Sequence, residues 1–340
     1  MFCISHSILS FLLITYKLVG WSLLMFKKTI KNLNLLDSHV LVFLIYFNIR
    51  LLYAPTSSDT SFAQTVFLTA LVFLTIVLVL SRGEVLSHPR ARGIVHRLGL
   101  LMSVLGLYLL AMREALAALQ PTLMDQQLIK LDQLLFTAVP ASYFDQYSSP
   151  AITEWFAFFY YSYFLLIVFT ILPSAFFGRS TLARGLVLGP VMLVCIGHIL
   201  YTIVPGRGPY VAMTFQNELT GGFFWQQVND MVSQQGALLD IFPSLHTAIP
   251  TFLVSYLYVN RSQWPLRISW YIVWPVLLFF TLNIIIATMY LRWHYAVDVI
   301  AGLSLAFSVT WIVSRHNPTD AQRQVRGQQA ILEPCFGPGE

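Results

Sequence analysis

The sequence is short of charge. Asp, Glu, Lys and Arg make up 10% of its 340 residues, where a soluble domain carries about 25%. So sparse a polar surface cannot cover a globule in water, which excludes a soluble enzyme or binding module. Cysteine is scarce too. Cys3, Cys195 and Cys335 lie far apart and without metal-ligand spacing, so neither a disulfide framework nor a zinc site is indicated. No internal repeat is present. The net charge of +5 would point a soluble protein towards nucleic acid. Here the basic residues sit in short loops between apolar runs, where they orient a membrane protein, and no nucleic-acid partner is expected.

Hydrocarbon is what the chain has in quantity: 57% of residues are hydrophobic and the mean hydropathy is +0.69. Nine apolar runs follow one another, at 6–26, 38–54, 62–81, 98–117, 152–176, 184–204, 244–259, 268–290 and 294–314. Most approach the roughly 20 residues that carry a helix across a bilayer. The fold class expected is all-α, a polytopic membrane helical bundle. In the first run the positive charges Lys27, Lys28 and Lys31 follow the apolar stretch. A cleaved signal peptide has them first, so residues 1–26 read as a retained span.

Loop charges set an orientation. The loops after spans one, three, five and seven, with the C-terminal tail, carry fourteen Lys and Arg, and the alternate loops carry only Lys130, Arg207 and Arg292. By the positive-inside rule the N-terminus lies outside and the tail inside. Two long loops, 118–151 and 205–243, are then extracytoplasmic. The first contains Leu128–Phe136, an amphipathic segment suited to lying along the membrane. The second contains Phe223-Phe224-Trp225, which either anchors the loop at the interface or gates a substrate. The tail, 316–340, has the composition of a disordered segment.

Two short strings carry the chemistry: Phe242-Pro-Ser-Leu-His-Thr247 and Arg292-Trp-His-Tyr-Ala-Val-Asp298. Each starts a span at the same, outer, end, and Pro205-Gly-Arg-Gly-Pro-Tyr210 closes a span there as well. His294 and Asp298 are four residues apart at a helix start and share a face. The carboxylate can fix the imidazole tautomer and raise the basicity of the other ring nitrogen, giving a nucleophile for phosphorus; the alternative is a helix-start pair of purely structural value. His246, one turn into its helix, can protonate a leaving oxygen and later deprotonate an acceptor. Ser244 is a helix cap or a phosphate contact, at a helix start that itself favours anions. Arg207 and Arg292 can neutralise non-bridging oxygens, although Arg292 also reads as an interfacial snorkelling residue. Asp240 either caps a loop or steers an acceptor hydroxyl. Around the two histidines only Asp240 and Asp298 are acidic, so no metal and no other cofactor is expected.

At these residues the chain resembles the type 2 phosphatidic acid phosphatase superfamily. Its pattern is a Lys/Arg-Pro block, a Pro-Ser-Gly-His block and an Arg block leading to His-x-x-x-Asp. The resemblance implies a six-helix core, here residues 97–315, preceded by about three extra spans in 1–96. It implies His246 as acid/base, His294 as nucleophile and Asp298 as its orienting acid. Leu245 replaces the glycine of the second block, Leu200 the lysine of the first, and Thr288 an arginine six residues before His294. Phe242–Thr247 and His294-Tyr-Ala-Val-Asp298 are more similar to the inositol phosphorylceramide synthase branch, and the His-Tyr-x-x-Asp string also resembles sphingomyelin synthases. That branch implies an integral membrane phosphotransferase moving a phospho-headgroup from a phospholipid to a lipid alcohol through a phosphohistidine, at the extracytoplasmic face. The alternative is a lipid phosphate or polyprenyl diphosphate phosphatase, with water as acceptor. A transporter or non-catalytic scaffold would show paired broken spans and midplane charges, which are not seen.

Overall fold

The computed structural model describes residue 16 and residues 20–119, 122–178, 180–235, 239–264, 269–316, 320–333 and 335. Every regular element among the described residues is helical. Seven helices are long and apolar enough to cross a membrane. They are α1 (Leu35–Leu52), α2 (Ser58–Arg82), α3 (Pro89–Leu119), α5 (Pro150–Phe177), α6 (Thr181–Tyr201), α9 (Trp270–Tyr290) and α10 (Ala296–His316). Between them lie α4 (Asp125–Phe136), α7 (Phe223–Gln235) and α8 (Leu245–Val259). The chain is a polytopic helical bundle. Most of the first expected span falls outside the described residues; residues 20–32 are helical.

Local chemistry explains where these helices begin. Asn34, Ser57, Ser149, Ser180 and Ser244 each stand just before an apolar run, and each side chain accepts a backbone N–H from the first turn. Asn34 and Asp37 cap reciprocally, which satisfies two otherwise unpaired groups.

Helix α6 is the centre of the bundle, and glycine lets α8 reach it. A Cβ on Gly189 would lie 1.9 Å from the Phe252 ring, and one on Gly185 1.9 Å from the Tyr256 hydroxyl. Spaced small residues of this kind draw membrane helices together by shape. Helix α8 has 15 residues, of which 11 are buried. Enclosed by protein, it need not match the bilayer thickness.

Helices α1 and α2 belong to the same core. Phe47 stacks on Phe67 with ring centroids 4.8 Å apart, and Tyr46 meets Thr202 at the end of α6 at 2.5 Å. Helix α3 begins at Pro89, so the boundary expected at residue 97 falls inside a helix. The tail also differs from its composition. Residues 320–333 pack under α1 and α2, because Arg323 donates to the carbonyls of Asn32 at 2.7 Å and Gln329 at 2.6 Å. Arg82 donates to Ala330 and Ile331 at 2.9 and 2.8 Å while paired with Asp37 at 2.9 Å.

Candidate active site

Helix α9 ends in a left-handed turn that aims the next residues into the bundle. Arg292 has φ +66°, and the amides of Trp293 and His294 both return to the Thr288 carbonyl, at 3.0 and 3.1 Å. Such a turn normally takes glycine, and another residue there costs roughly 1–2 kcal/mol. The Arg292 side chain offsets that cost: its Nη2 donates to Asp145 at 2.8 Å and to the Asn217 carbonyl at 2.7 Å, and its guanidinium lies 3.9 Å over the Phe215 ring.

Helix α10 starts on a buried acid. Asp132 of α4 accepts the amides of Ala296 and Val297 at 3.0 and 2.9 Å; burial nevertheless pushes its pKa up, against those two bonds. Asp298 lies one turn into α10 and is fully buried. Its Oδ2 accepts the Tyr295 amide at 2.9 Å and faces His294 Nδ1 at 3.4 Å. That leaves Nε2 as the free nitrogen of His294.

The other two strings close around this pair. The Ser244 amide donates to the Asp298 carbonyl at 3.0 Å, and the position of a Cβ on Gly302 would be 2.6 Å from the Ser244 carbonyl oxygen, so α8 and α10 touch backbone to backbone. His246 is held between Tyr160 and Tyr163 of α5, both ring centroids 4.2 Å away. Its ring centroid is 6.4 Å from that of His294. On the third side Asp125 of α4 accepts the amides of Arg207 and Gly208, at 3.0 and 2.9 Å, and the hydroxyl of Tyr295 at 2.9 Å. Burial, then the Asp125 charge, drives the Tyr295 pKa far up. One carboxylate thus ties the Arg207 string to the His294 string.

A cavity of about 440 Å³ opens onto these groups. His246, His294, Arg207 and Trp293 stand at its polar end, and it runs between α3, α5 and α6 past apolar side chains to Arg97 and Leu332. Helices α3 and α5 each carry one wide π-turn, Met102–Gly106 and Ile167–Ile171, and residues of both turns line the shaft. A long apolar shaft with histidines and an arginine at one end has the shape and polarity that suit a lipid.

A family model described as the PAP2 superfamily matches residues 126–312. The chain belongs to the PAP2 superfamily. It is accordingly a membrane enzyme of the phosphatase or phosphotransferase type, with a lipid phosphate as the class of substrate. The match runs from α4 to α10 and contains all three strings. No curated protein and no solved structure matches the chain.

Of the residues expected at this PAP2 site, His294, Asp298 and His246 come together, and Arg207 joins them on the cavity wall. No protein acceptor for the Arg207 guanidinium is seen among the described residues. Ser244 and Arg292 are placed differently. Ser244 is fully buried, its hydroxyl accepts the Thr247 amide at 3.2 Å as a helix cap, and it does not line the cavity. Arg292 is committed to Asp145 and also lies off the cavity. In this arrangement Ser244 is a helix cap and Arg292 a clamp on Asp145, while Arg207 and the first turn of α8 face the cavity. Asp125, Asp132, Tyr160 and Tyr163 were not singled out in the sequence. Asp125 and Asp132 left one signal, two acids with Leu128 on the buried face of amphipathic α4; the two tyrosines sit in a stretch, 155–164, that is almost all aromatic and left none. The Phe223-Phe224-Trp225 cluster is split: Phe223 is exposed, while Trp225 is buried and Glu154 accepts the Phe224 and Trp225 amides at 2.8 and 3.1 Å.

Proposed function

We propose that this PAP2 protein is a phosphotransferase of the inositol phosphorylceramide synthase type, moving a phospho-headgroup from a phospholipid to a lipid alcohol. The observation that carries the reading is the His294–Asp298 pair facing His246 across 6.4 Å at the polar end of an apolar shaft. His294 Nε2 attacks phosphorus, forming a P–N bond as the bond from phosphorus to the departing lipid oxygen breaks. Protonated His246 gives that oxygen its proton. The acceptor hydroxyl then attacks the same phosphorus, passes its proton to His246, and breaks the P–N bond. Asp298 holds the ring and stabilises the imidazolium in the role that carboxylates play in such pairs. Arg207 and the first backbone N–H groups of α8 neutralise the non-bridging oxygens, where phosphoryl transfer needs charge most.

The site faces away from the cytoplasm in this reading, on the strength of fourteen basic residues against three in alternate loops. The deciding experiment incubates the purified protein with headgroup-labelled phospholipids, with and without ceramide or diacylglycerol. Label appearing in a new lipid only when the acceptor is added is the expected result. Water-soluble label released at the same rate with or without acceptor would make water the acceptor and the protein a phosphatase.

A further inference from the structure

Beyond the two histidines and Arg207, the polar groups near that end of the cavity gather in one patch that the reaction above does not use. Tyr108 of α3 donates its hydroxyl to Asp240 at 3.0 Å. His198 of α6 stacks flat on the Tyr108 ring, with centroids 5.4 Å apart and planes within 6°. It is 3% exposed, and its Nδ1 is buried with no hydrogen-bond partner among the described residues. All three residues line the cavity that holds His246 and His294, and Asp240 is close enough to His294 for their charges to interact.

Keeping these groups in an apolar wall is costly. An unpaired buried polar atom is destabilising and a charged one more so, and burial pushes the Asp240 pKa up. Leucine or phenylalanine at these positions would pack without that cost. Their shared chemistry says what would satisfy them. The Asp240 carboxylate accepts; the Tyr108 oxygen, having given its proton away, keeps lone pairs; a neutral imidazole has one accepting nitrogen. The patch therefore suits a ligand that donates hydrogen bonds, and it repels a phosphate.

The geometry points to a second substrate site: Tyr108, Asp240 and His198 take the hydroxyl of a long-chain lipid alcohol and hold it beside His294, with its chain along the apolar shaft. This rests on the phosphotransfer reading and adds where the acceptor sits. When the hydroxyl oxygen attacks phosphorus its single proton turns from the patch to His246, which takes it, so the three are positioning residues.

Binding can be read without chemistry in the full-length protein carrying His294→Ala. The probes are a long-chain primary alcohol bearing a photoreactive diazirine and its O-methyl ether, which lacks only the donor. The alcohol should label about tenfold better than the ether, the worth of one hydrogen bond to a charged group. Adding Asp240→Asn should abolish most of that preference, and Tyr108→Phe, which removes one oxygen, serves if Asp240→Asn does not fold. In the protein with His294 intact, either change should raise KM for the acceptor well above any rise in KM for the donor. Equal labelling by alcohol and ether, or a preference that survives both variants, overturns the site. Product analysis keeps the two claims apart: preferential, Asp240-dependent alcohol binding in a protein that only hydrolyses would retain the site and reject the transfer. Acceptor-dependent transfer without any alcohol preference would do the reverse.

Discussion

At the scale of single residues, the two arginines Arg207 and Arg292 are placed for different tasks. Arg292 closes a strained turn against Asp145, while Arg207 lines the cavity. Arg292→Ala should lower the melting temperature in detergent, whereas Arg207→Ala should leave melting near normal and raise KM for the phospholipid donor. A shift in melting for Arg207 and none for Arg292 would reverse the assignment. His294→Ala should abolish turnover in a protein that still folds. Asp298→Asn should cost about a thousandfold or more in kcat, because an amide favours the wrong tautomer. Leu245, the departure from the family glycine, is accommodated across the interface: a Cβ on Gly197 would lie 2.8 Å from the Leu245 side chain. Gly197 leaves the room that the Leu245 side chain fills.

At the scale of elements, what the sequence disclosed and what it hid divide along physical lines. The apolar runs, the two histidine strings and their common end of the bundle were legible, because hydrocarbon length and i, i+4 spacing are local. The braces were not. Tyr295 and Asp125 are 170 residues apart, and Ala296 and Asp132 are 164 apart; a side chain that accepts a distant amide leaves no periodic mark. For the same reason the sequence left Ser244 open between cap and phosphate contact and did not show the Asp145 partner of Arg292, since a cap, a clamp and a phosphate ligand use the same residue types. Asp132→Ala tests the brace directly. It leaves two amides at the start of α10 without an acceptor, and should cost about 2 kcal/mol of stability together with most of the activity, since His294 and Asp298 flank those amides. Thermal melting and turnover measured on the same preparation check both. Gly189→Leu should be worse, because Phe252 already fills that space and overpacking costs about 1–3 kcal/mol or more.

At the scale of the molecule, residues 320–333 of the tail are part of the fold. Arg82, Asp37 and His96 form a buried cluster, with His96 Nε2 2.5 Å from Asp37, and the carbonyls of Ala330 and Ile331 complete the donors of Arg82. Truncation after His316 would strip them away, and should destabilise the protein in detergent even though it lies at the opposite end of the shaft from His294. The sidedness is open to a separate measurement. In a chain without its native cysteines, Thr220→Cys should react with a membrane-impermeant thiol reagent in intact cells and Gln263→Cys should not; the reverse pattern would overturn the orientation.

The central claim is that phosphorus passes through His294. Protein mixed with a phospholipid labelled at phosphorus and quenched within a turnover tests it most directly, with mass spectrometry to locate the label. An acid-labile, base-stable adduct on His294, absent from His294→Ala, is the result predicted. Label on any other residue, or undiminished turnover in His294→Ala, would contradict it.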